Sequence, residues 1–156
     1  MRYVIAASLL GLLAGCSATD SSSEVSSHAT GTSAKESSLA DLKRFPPRYP
    51  KQQAIYGREG CATIEYVVGT DREVTAVEVV SATNKDFARE ASKVVSRWKW
   101  QSVSETAFQA PLKFQTRFEF CLENGNGNCG DSVLATKDQC TGNDVIAVVG
   151  RRFKFP

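Results

Sequence analysis

Residues 61–68 read Cys-Ala-Thr-Ile-Glu-Tyr-Val-Val. Their alternation sets Ala62, Ile64, Tyr66 and Val68 on one face and Cys61, Thr63, Glu65 and Val67 on the other, the two-residue period of a strand. Gly69-Thr70-Asp71-Arg72 supplies a turn, and the Val-rich run 73–80 reads as the hairpin partner. After Ser81-Ala82-Thr83 the period lengthens. Phe87, Ala91, Val94, Val95 and Trp98 recur at i, i+4, i+7, i+8 and i+11, one apolar helical stripe, with Thr83-x-x-Asp86 as its capping box. Over 111–121 the period returns to two: Leu112, Phe114, Thr116, Phe118 and Phe120 alternate with Lys113, Gln115, Arg117 and Glu119. The order ββαβ predicts an α+β fold, an antiparallel sheet with one helix packed on one face. A right-handed crossover then places the third strand beside the first, in the spatial order second, first, third, with the third strand at an edge.

Toward the N-terminus, Met1-Arg2-Tyr3 sets a positive charge before an apolar run over 4–13. At helical rise that run is too short for roughly 30 Å of hydrocarbon and reads as a signal-peptide core. Leu13-Ala14-Gly15-Cys16 resembles the lipobox of bacterial lipoproteins. The resemblance implies a signal peptide over 1–15, lipidation of Cys16, and a protein held by its acyl chains in the cell envelope. By the same resemblance, Ser17 after the lipidated Cys implies sorting to the outer membrane, facing the periplasm. The segment 16–44 is expected to be a lipidated Cys followed by a flexible tether, since 17–40 is Ser, Thr, Ala and Gly with scattered charge. Such a coil has an r.m.s. span of roughly 30 Å.

The composition removes several function classes. With 19 Lys+Arg against 17 Asp+Glu and a formal charge of +2, the chain carries no basic face of the kind nucleic acid requires. Its single His, His28, lies in the Ser-rich stretch, and no acid–base pair or activated nucleophile can be assembled, so neither an enzyme nor a cofactor is expected. Cys61, Cys121, Cys129 and Cys140 are an even number in an oxidising compartment, which predicts disulfides. Their irregular spacing, without a Cys-x-x-Cys pair, argues against zinc and against redox catalysis. Three pairings are open. The sheet reading brings the start of strand one beside the end of strand three, and so favours Cys61–Cys121 with Cys129–Cys140.

Arg48-Tyr49-Pro50, Ala54-x-x-Gly57-x-Glu59-Gly60, the Val-rich hairpin, Phe87-Ala88-x-x-Ala91 and Trp98-Lys99-Trp100 ahead of an aromatic strand together resemble the C-terminal domain of TonB-family energy transducers, over about residues 45–121. Two positions depart from the family pattern: Asp71-Arg72 stands where the hairpin usually has Asp-Gly, and Gln101-Ser102-Val103 stands where a Pro usually follows the Trp step. The resemblance implies binding by strand addition to an exposed sheet edge. It implies as partner a short segment of an outer-membrane TonB-dependent receptor, or another envelope protein. The matching edge residues are those of the third strand, Lys113, Gln115, Arg117 and Glu119. A lipobox and a short Ser-rich tether stand in place of the transmembrane anchor and Pro-rich rod of a family energy transducer. The binding mode is therefore expected, and energy coupling is not.

Residues 122–156 are expected to be a disulfide-stapled C-terminal extension. Within it, Val145-Ile146-Ala147-Val148-Val149 is β-branched enough for a strand, and the run through Gly150-Arg151 resembles the Val-rich recognition segment of the receptors themselves. The tail is expected to pair with one of the domain's own sheet edges as a fourth strand. The competing reading is a structural envelope lipoprotein that contacts peptidoglycan or assembly factors. An exposed edge is also compatible with a strand-exchanged homodimer.

Overall fold

The computed structural model describes residues 42–152; the expected signal peptide, Cys16 and tether up to residue 41 lie outside the described residues. The elements run α1 (Lys51–Ile55), β1 (Gly60–Val68), β2 (Val74–Ala82), α2 (Lys85–Val95), two short 3-10 turns at Trp100–Ser102 and Glu105–Ala107, β3 (Leu112–Glu123), α3 (Asp131–Ala135) and β4 (Val145–Arg151). The four strands form one sheet in the order β2-β1-β3-β4. β1 is antiparallel to both of its neighbours, so the third strand does lie beside the first. β4 joins the far side of β3 in parallel, so the sheet is mixed.

The core forms where α2 meets the apolar face of β1 and β3. Phe87, Ala91, Val94 and Val95 are buried against Ile64, Tyr66, Phe118 and Phe120. Phe87 stacks on Phe120 with ring centroids 4.4 Å apart, and Tyr66 stacks on Phe114 at 5.7 Å. Trp98 and Trp100 extend the layer, each satisfying its indole N–H on a backbone carbonyl, Trp98 on Phe45 at 2.9 Å and Trp100 on Val95 at 2.8 Å. Leu42 is buried in the same cluster, so the packed unit takes in residues the sequence places in the tether. The helix cap also differs from expectation. Asn84, not Thr83, accepts from the Asp86 amide at 2.8 Å, because Thr83 turns its hydroxyl back to the Cys61 amide at 2.9 Å to close the β1–β2 pair.

The Asp71-Arg72 turn and the segment Gln101-Ser102-Val103 meet in space. Arg72 adopts φ 63°, a left-handed conformation that costs a non-glycine residue roughly 1 kcal/mol or more. Its guanidinium donates to the carbonyls of Gln101 and Val103, both at 3.1 Å, and pairs with Glu105 at 2.7 Å. Gln101 returns a side-chain bond to the Asp71 carbonyl at 3.0 Å. The arginine and the Pro-free segment thus tie the β1–β2 turn to the chain that follows α2.

The opposite face of the sheet is not open. Residues 124–144 fold back over Cys61, Thr63, Arg117 and Glu119, held by two disulfides, Cys61–Cys140 and Cys121–Cys129. This corrects the expected pairing. Cys61 stands opposite Glu119, which leaves Cys121 two residues off register. Diagonal positions across a ladder lie roughly 7–8 Å apart, beyond disulfide reach. Each cysteine instead binds the loop that lies over it.

Candidate protein-binding edge

A strand at a sheet edge offers its outward main-chain groups at every second residue. In β3 the phase is given by the Arg117 amide, which donates to the Asp144 carbonyl at 2.8 Å on the β4 side. Two-residue alternation then turns the N–H and C=O of Lys113 and Gln115 outward too. β4 pairs with β3 only from Arg117 to Glu123. The stretch Leu112–Thr116 therefore has β1 on one side and, among the described residues, no strand on the other.

The four residues expected on this edge divide in two. Lys113 and Gln115 are exposed on the open stretch. Lys113 reaches over to Glu65 of β1 at 2.7 Å, and that carboxylate holds its ammonium above the ordinary lysine value. Arg117 and Glu119 are buried, a correction to their expected place on an exposed edge. The Arg117 guanidinium donates to the carbonyls of Lys137 at 2.8 Å, Ala135 and Cys140 at 3.0 Å, and Leu134 at 3.4 Å. It knots the chain around α3 into a lid over the sheet. Glu119 lies 3.3 Å from the Arg117 Nε without the alignment of a hydrogen bond. Burial raises the Glu119 carboxyl above its ordinary value, against the pull of Arg117 and Lys137.

β4 closes the rest of the edge. Val148 is buried in the core, and Gly150 packs so closely on the Tyr49 ring that a Cβ there would lie 2.5 Å from its Cδ2. Its start is pinned by Asp144, whose carboxylate pairs with Arg44 at 2.5 Å and accepts from the Thr116 hydroxyl at 2.7 Å. Thr116 in turn bonds the Tyr66 hydroxyl at 3.0 Å. Sequence patterning missed this network because Arg44 and Asp144 stand 100 residues apart and no local period joins them. It also missed the second open edge. Among the described residues β2 pairs only with β1, and it exposes Val77, Val79 and Val80.

No catalytic constellation emerges among the described residues. The one grouping with metal-ligand geometry, Glu59 with Cys121 and Cys129, has both sulfurs joined to each other, so neither is a thiolate donor.

A family model described as the Gram-negative bacterial TonB protein C-terminal matches residues 46–122. These residues form a TonB C-terminal domain. "Protein TonB" of Yersinia enterocolitica is 27% identical over 75 residues, which cover 47% of this chain and 29% of that protein. The chain thus spans under a third of that relative. Two solved structures are similar at 18% identity. The solution NMR structure of the Pseudomonas aeruginosa TonB CTD has a TM-score of 0.40 and covers 51% of this chain and 85% of its own. The NMR solution structure of Helicobacter pylori TonB-CTD has a TM-score of 0.37 and covers 57% and 86%. The TonB C-terminal match stops at residue 122, so β4 and the stapled lid lie beyond it.

Proposed function

We propose that this chain is a TonB-like protein-binding module of the bacterial envelope. It takes an extended segment of an outer-membrane receptor, or of another envelope protein, as an added strand on the open end of β3. The observation that carries the reading is that β4 covers β3 only from Arg117 onward, which leaves the main-chain groups of Lys113 and Gln115 turned outward in a TonB C-terminal domain. Main-chain bonds there would supply affinity, and the flanking Lys113 and Gln115 side chains selectivity. Attachment through a lipidated Cys16, with the domain on a short tether at the outer membrane, is part of the same proposal and rests on the Leu13–Cys16 motif.

The test is affinity capture from solubilised outer membrane with the oxidised protein, against Gln115→Pro, which removes an outward N–H from an exposed position. Recovery of a β-barrel receptor by the parent and not by Gln115→Pro supports the proposal. Equal recovery of muropeptides or other lipoproteins by both would overturn it in favour of a structural envelope role.

A further inference from the structure

Given that reading of β3, we infer that Asp144 is the stop that sets the length of the partner-binding edge, and that β4 is a resident strand occupying the remainder. β3 has 12 residues, and β4 covers it from Arg117 onward. A strand added on Lys113 and Gln115 can grow along β3 only by breaking the next rung, the bond from the Arg117 amide to the Asp144 carbonyl. Two side chains fix that rung. The Asp144 carboxylate holds Arg44 of the N-terminal segment and the Thr116 hydroxyl of β3 itself, while Arg44 also lies over the Trp98 ring at 5.7 Å.

The rest of β4 is less evenly held. Val148 and Gly150 are buried, but Val145, Ile146 and Ala147 are only half-buried and Val149 is exposed. With the stop closed, the edge admits a segment of about five residues, roughly 16 Å at about 3.3 Å per residue. With it open, an incoming strand can replace the first residues of β4 in turn. Arg44 belongs to the segment that leads toward residue 41 and the chain before it, so the stop joins the N-terminal lead directly to the strand that guards the site.

A dye-labelled synthetic peptide of the chain's own residues 143–151 is the probe, because its pairing with β3 is already defined. It is titrated into the oxidised full chain, Arg44→Ala and Asp144→Asn. Both latch variants should bind it at least ten-fold more tightly than the parent and show faster hydrogen exchange at Val145–Ala147. Equal affinity in all three proteins, or unchanged exchange of those amides, overturns the inference. Arg44→Ala removes a partly exposed partner, so the test stands if Asp144→Asn fails to fold. Adding Gln115→Pro to Arg44→Ala separates the two claims. The probe's register covers Arg117–Glu123 and not Gln115, so tight probe binding should persist in this variant and keeps the stop, whereas its capture of the receptor segment reports on the open stretch: lost capture supports that stretch as the entry point and retained capture rejects it.

Discussion

Cys61 stands opposite Glu119 on the β1–β3 ladder, and its sulfur is joined to Cys140 in the loop above rather than to Cys121 on the neighbouring strand. The bridge therefore fastens the lid to the sheet and closes a separation of 79 residues, against 8 for Cys121–Cys129. In the chain-entropy account these closures stabilise by about 4.5 and about 2.5 kcal/mol. Urea denaturation of Cys61→Ser/Cys140→Ser should show the larger loss, and Cys121→Ser/Cys129→Ser the smaller. A reversed order would contradict the pairing.

Arg117 is the polar centre of that lid. Arg117→Ala leaves four lid carbonyls without their donor and Glu119 buried without its cation, and should cost about 3–5 kcal/mol, the range for breaking one partner out of a buried ion pair. Chemical denaturation measures it; a loss below about 1 kcal/mol would mean that the lid does not depend on the guanidinium.

Glu119 gives the protein a pH dependence of defined sign. Its carboxyl is raised in the folded state by burial, so its favourable contribution is present when it is protonated and is lost as pH rises through the raised value. Melting temperatures from pH 4 to 7 should fall for the parent relative to Glu119→Gln. A gap that widens in favour of the parent with rising pH would mean that attraction to Arg117 outweighs desolvation.

Arg72 combines backbone strain with side-chain bonds, and the two can be separated. Arg72→Gly removes the left-handed penalty and the guanidinium bonds together, while Arg72→Ala removes only the bonds. Thermal unfolding should rank the parent above Gly and Gly above Ala, the last two differing by roughly 1 kcal/mol. Ala at or above Gly would place the turn in another conformation.

The ββαβ order, the apolar stripe of α2 and the position of β3 beside β1 were legible because each is written in a local period. Phe87 to Val95 repeat on the helix, and Ile64, Tyr66, Phe118 and Phe120 repeat on the strands. The β4 run was legible from its β-branching, and so was its pairing to a sheet edge. Three features were not. The offset between Cys61 and Cys121 depends on a register that periodicity gives only to the nearest face. The burial of Arg117 and Glu119 depends on the lid, since a charged residue alternating outward reads as solvent-facing until something covers it. The Arg44–Asp144 pair joins two segments that carry no common pattern. Periodicity alone therefore makes the candidate site a whole strand, where the structure leaves Lys113 and Gln115 outside and takes Arg117 and Glu119 within.

The most direct measurement of the central claim is residue-resolved hydrogen exchange of the oxidised protein, free and saturated with the extended receptor segment that it recovers. Binding on the open end of β3 predicts new protection at the Lys113 and Gln115 amides, with the outer edge of β2 around Val77 and Val79 unchanged. Protection at β2 alone, with Lys113 and Gln115 exchanging as in the free protein, would contradict the account and move the binding edge to the other side of the sheet.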